Sequence, residues 1–92
     1  MFVLLLTYVK PLAEVDALMR RHMAWLDEHY AAGRFLVSGR RIPRTGGVIL
    51  ARGDDRGEIE AIAAADPFVA GGVATCEVIQ FRPSQTADGF DP

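Results

Sequence analysis

The chain has 92 residues, 50% of them apolar and 24% charged, with a net charge of −2. That describes one small globular domain; it excludes a mainly disordered chain and leaves no overall basic footprint for nucleic acid. The longest apolar run, residues 1–6, falls far short of the ~20 residues that span a bilayer, and it lacks the basic flank of a signal peptide.

Residues 2–9 read as a strand, rich in β-formers and closed by Lys10-Pro11. Phe2, Leu4, Leu6 and Tyr8 fall on one face and Val3, Leu5 and Val9 on the other, so neither face alternates with polar residues. Such a strand is expected to be central and covered on both sides. Residues 11–32 read as one helix that stops at Gly33. Taken at about 100° per residue, Val15, Leu18, Met19, His22, Trp25, Leu26, His29 and Tyr30 share an arc of roughly 140°. Residues 34–41 and 47–52 read as two strands joined by turn chemistry at 43–46, an antiparallel hairpin. Asp55 and Glu58 have capping-box spacing and open a second helix over 56–65. Asp66-Pro67 ends it, because the residue before proline avoids the α region. Gly71-Gly72 makes a turn, and residues 73–82 form a fourth strand. Residues 83–92 are polar, carry Gly89 and two prolines, and read as a loose tail or one that packs on a partner.

The order β-α-β-β-α-β points to an α+β, ferredoxin-like domain over residues 1–82: four antiparallel strands with two helices on one face. Two helices cover only one side of the sheet. The doubly apolar first strand therefore argues for a homodimer packed sheet to sheet.

Three features carry candidate chemistry. His22 lies near the middle of the apolar helix face; with one ring nitrogen partnered, it is suited to general acid-base work. The commonplace alternative is a core histidine satisfied by a backbone carbonyl. Asp66 could fix the tautomer of that histidine as the orienting acid of a triad does, or simply cap its own turn. Ser38-Gly39 sits inside a strand, where glycine suggests a bulge or a close backbone approach by a ligand. Arg40, Arg41 and Arg44 follow and could hold an anion by bidentate contacts, although Arg44 is better read as a solvated hairpin tip.

Other groups are less informative. The basic groups concentrate in residues 1–52, where eight arginine and lysine side chains face four acidic ones. His29 is about 10 Å along the helix from His22, too far to share a metal, and no ligand spacing for zinc is present. The lone cysteine, Cys76, excludes an internal disulfide framework; it reads as a small packed hydrophobe in a reducing, cytoplasmic setting.

His22 and Trp25 on a helix, Gly33, Ser38-Gly39, a Gly-led strand, Asp66-Pro67-Phe68, Gly71 and a final strand with Ile79 and Phe81 follow one another in a recognisable order. In that order and spacing the chain resembles the YciI-like, or YCII-related, family over residues 1–82. The resemblance implies a dimeric α+β barrel of ferredoxin-like subunits. It also implies an active-site histidine paired with an aspartate, here His22 and Asp66, with Ser38 as the serine of the SG pair. Some members of the family resemble enzymes of aromatic-ring degradation, including a dechlorinase, and the fold is shared with muconolactone isomerase.

The sequence thus leads to a cytoplasmic homodimeric enzyme that moves a proton on a small, anionic, ring-derived substrate. The type would be isomerase, lyase or dehalogenase. His22 would be the general base or acid and Asp66 its orienting partner. Ser38 and Gly39 would line the pocket, and Arg40 would meet a carboxylate. Neither a metal nor a cofactor is called for, and neither nucleic acid nor membrane is an expected partner. The rivals are a ligand-sensing module and an accessory interaction domain in which the pair is structural.

Overall fold

The computed structural model describes residues 1–92. Its elements are β1 (Phe2–Tyr8), α1 (Leu12–Ala17), α2 (Met19–Ala31), β2 (Phe35–Arg40), β3 (Gly46–Ala51), α3 (Arg56–Ala64), α4 (Pro67–Ala70) and β4 (Ala74–Gln80). The four strands form one antiparallel sheet in the order β2-β3-β1-β4, which is the ferredoxin-like arrangement. The strand β1, apolar on both faces, is central, paired with β3 on one side and β4 on the other.

One face of β1 builds the core. Phe2, Leu4 and Leu6 pack with Val15, Trp25, Leu26, Ile59 and Phe68 from the helices and with Ile49 of β3. The other face carries Val3, Leu5, Val37, Val48, Leu50 and Ile79, and no helix covers it. Val37, Val48 and Ile79 on this face are exposed. No helix is long and apolar enough to cross a membrane.

Two helical segments differ from the sequence reading. The expected single helix over 11–32 breaks at Leu18, whose φ of −104° and ψ of 0° separate α1 from α2. Neither proline nor glycine sits there. At the break the Leu18 side chain packs against Gly71, filling the place a Cβ there would take, and this seats the helix layer against the turn after α4. The second helix also has a sequel. Asp55 does accept from the Glu58 amide at 3.1 Å and starts α3, but Asp66-Pro67 does more than end it. Asp66 caps the four-residue helix α4, with Pro67 at its first position, where a missing N–H costs nothing.

The expected irregularity at Gly39 lies earlier. The register of β2 against β3 shifts between Phe35 and Val37, so Leu36 is the bulged residue. Side chains alternate along a strand, and an extra residue reverses the alternation. Phe35 and Ser38, three apart, therefore both face the helices. Beyond β4, residues 83–92 form neither strand nor helix; the Arg52 guanidinium ties their end to the domain by donating to Asp91 O at 2.7 Å and Pro92 O at 3.2 Å.

Candidate functional site

Two of the candidate residues, 44 apart in sequence, meet. His22 Nδ1 and Asp66 Oδ1 are 2.8 Å apart. Asp66 is 0% exposed, and the His22 side chain 12%. Each arrives by a local rule. The α2 periodicity turns His22 toward the sheet, one turn ahead of buried Leu26. The cap of α4 fixes Asp66, whose Oδ1 also accepts from the Phe68 amide at 3.0 Å. An ionised Asp66 can only accept, which puts the ring hydrogen of a neutral His22 on Nδ1 and the lone pair on Nε2. Asp66 Oδ2 is buried without a hydrogen-bond partner, so Oδ1 carries both bonds.

Aromatic rings hold the imidazole in place. Phe68 lies face to face with it, centroids 3.9 Å apart and 8° from parallel. Trp25 flanks it at 5.6 Å, anchored by its own Nε1–H to Ile62 O at 3.2 Å.

His22 borders a cavity of about 210 Å³ between α2 and the sheet. Leu6, Met19, Met23, Leu26 and Phe68 supply much of its apolar lining, and Ser38, Gly39 and Arg40 lie along the strand wall. His22, Ser38, Gly39 and Arg40 therefore share one cavity, with Asp66 behind the imidazole. A cavity of about 150 Å³ holds benzene, so this one matches a single substituted ring.

Tyr30 and Phe68 were not singled out by the sequence. Tyr30 Oη lies 2.6 Å from Ser38 Oγ. Tyr30 belongs to the apolar helix arc, but the arc alone does not say which strand residue its hydroxyl meets. The DPF triplet contained Phe68 without revealing the ring stack.

Other candidates separate from the site. Arg44 is no solvated tip: its guanidinium pairs with Asp16 of α1, which folds the hairpin tip back onto the helix layer. The hydrogen bond from Arg44 holds the Asp16 carboxyl below the usual carboxylate value. Arg41 reaches Thr7 Oγ1 at 3.3 Å. His29 is buried between Trp25 and Phe35, and burial lowers its pKa, with the Arg34 charge helping against Glu28. Burial, with a smaller contribution from the Asp66 charge, pushes the Cys76 thiol up to about 11. It is a thiol at neutral pH rather than a nucleophile. No three metal-ligating side chains converge anywhere in the chain.

The fold and the site together define a ferredoxin-like α+β domain with a buried aspartate behind a cavity-facing histidine. Residues 1–82 match the model of the YCII-related domain, and the chain belongs to that family. No curated protein matches it. Among solved structures it is similar to 5-chloro-2-hydroxyhydroquinone dehydrochlorinase (TftG) of Burkholderia phenoliruptrix, in complex with 2,5-dihydroxybenzoquinone. The two are 19% identical, with 89% of this chain and 94% of that chain covered at a TM-score of 0.70. At that identity the likeness concerns the fold.

Proposed function

We propose that this protein is a small-molecule enzyme that moves a proton on a small, anionic, oxygenated ring compound. One observation carries the reading: His22 Nδ1 is 2.8 Å from the buried Asp66 carboxylate while the same ring lines the cavity. His22 takes a proton from the substrate at Nε2. Asp66 keeps the ring in the tautomer that allows this and stabilises the imidazolium formed. In an elimination, the electrons of the broken C–H bond form a π bond as a halide departs, and the proton stays on His22 until water removes it. In an isomerisation, the same proton returns to another carbon. Arg40 takes part in none of the chain's ion pairs and holds the negative charge of the substrate; Ser38 and Gly39 shape the strand wall. The reading calls on no cofactor.

The enzyme is a homodimer packed sheet to sheet, as the uncovered apolar face of Val3, Leu5, Val37, Val48, Leu50 and Ile79 supports. Sedimentation of the native chain and of Leu50→Glu checks this: a dimer that dissociates in the variant agrees, and a native monomer at micromolar concentration contradicts it. The unpaired, half-buried Cys76 suits a cytoplasmic setting.

The dehydrochlorinase neighbour makes a chlorinated hydroxyhydroquinone the first compound to assay, by chloride release. Turnover by the native chain that disappears in a folded His22→Gln variant supports the proposal. Turnover that survives in His22→Gln overturns the role of His22. Binding without turnover across a panel of ring compounds favours a sensing module.

A further inference from the structure

We propose that Tyr30 is a positioning residue that makes the Ser38 hydroxyl a hydrogen-bond donor to an oxyanion of the substrate. The inference rests on the proposed function and names what the strand wall recognises. Tyr30 Oη and Ser38 Oγ are 2.6 Å apart, within the normal range for an O–H···O bond. Both ends are fixed by the fold. The Tyr30 ring stands edge-on to Phe35, centroids 6.1 Å apart and 89° between planes. The bulge at Leu36 turns Ser38 to the helix side of the sheet.

Each hydroxyl has one hydrogen and two lone pairs. A phenol is the stronger donor and an alkyl hydroxyl the better acceptor, so Tyr30 gives its hydrogen to Ser38. Ser38 has no other protein partner and borders the cavity, so its own hydrogen is left for a ligand. Accepting from Tyr30 also polarises Ser38 into a better donor. Arg40, two residues along on the same face of β2, adds a cation to the same wall. The helix wall thus offers a proton acceptor at His22, and the strand wall offers two donors. A ligand that satisfies both is a single ring bearing a phenolate or enolate oxygen at the strand wall, with its acidic hydrogen toward His22.

The test uses 4-nitrophenolate, one ring with an oxyanion whose absorption band moves to shorter wavelength when it accepts a hydrogen bond. The native chain is expected to bind it with such a shift. Ser38→Ala and Tyr30→Phe should each weaken binding roughly three- to tenfold, the worth of one hydrogen bond, and reduce the shift. The double variant should be no weaker than Ser38→Ala, because Tyr30 acts through Ser38. Ser38→Thr, which keeps the hydroxyl, should retain the shift. Phenylalanine preserves the ring contact with Phe35, so Tyr30→Phe removes only the hydroxyl. A full shift in Tyr30→Phe, additive losses in the double variant, or no binding by the native chain overturns the proposal. The band reads Ser38 whether or not His22 turns over a substrate, so the two claims fail separately.

Discussion

Phe68 holds both members of the His22–Asp66 pair. Its ring stacks on the imidazole at 3.9 Å, and its amide donates to the same Asp66 oxygen that meets Nδ1. Phe68 is also fully buried in the core. Phe68→Ala is expected to cost about 3–5 kcal/mol, as for a large aromatic truncated in a packed interior, read by urea unfolding. Phe68→Leu should keep most of the stability but release the imidazole. Turnover should then fall further than stability does.

Asp66→Asn preserves an acceptor for the Phe68 amide and for His22 but strands an NH₂ group where Oδ2 is buried without a partner. The expected cost is about 1–3 kcal/mol for unsatisfied donors, checked by chemical denaturation. The neutral amide no longer stabilises an imidazolium. Turnover should drop by a factor on the order of 10²–10⁴, the range of general acid-base catalysis, with substrate binding less affected.

His29 predicts a pH dependence of stability. Free in the unfolded chain, it takes up a proton near its ordinary value of 6.5, whereas burial against Trp25 and Phe35 and the neighbouring Arg34 charge lower that value in the fold. Between the two values the unfolded state binds more protons. The contribution of His29 is therefore fully present above 6.5, erodes as pH falls below it, and levels off once the folded ring is protonated. His29→Gln should flatten the slope of unfolding free energy as pH falls below 6.5.

Gly46 is the glycine the sheet needs. A Cβ there would stand 1.8 Å from the backbone oxygen of Leu6 on the neighbouring strand. Gly46→Ala should force β1 and β3 apart and cost more than about 4–5 kcal/mol, at the far end for single substitutions. Far-UV circular dichroism should show an unfolded chain. At Gly39 a Cβ meets nothing within 4 Å, and Gly39→Ala should stay within about 0.5 kcal/mol of the native chain, as surface changes do.

Local physics accounts for what was legible in the sequence. Apolar runs and turn residues gave the order of strands and helices along the chain, the doubly apolar β1 its central place, and the Asp55–Glu58 spacing the start of α3. His22 and Asp66 stood out one at a time, because each sits in a distinctive local setting. Their pairing was implied by the family resemblance alone; no local rule could supply the contact, since only the packing of α2 on α4 brings positions 44 apart within 2.8 Å. Local rules were equally silent on the break at Leu18, which packs against Gly71, and on the Arg44–Asp16 pair. The bulge at Leu36 left no mark in composition, yet it decides which face Ser38 shares. Tyr30 was visible as part of an apolar arc, but its hydroxyl finds Ser38 only through that bulge.

The central claim is that Asp66 fixes the His22 tautomer and leaves Nε2 free to act in the cavity. Nitrogen-15 NMR of the His22 ring, at about pH 8 where histidines are ordinarily neutral, measures this directly. A hydrogen on Nδ1 and an unprotonated Nε2 in the native chain, lost or mixed in a folded Asp66→Ala variant, is the predicted result. A native ring protonated on Nε2, or one whose tautomer ignores Asp66→Ala, would contradict it.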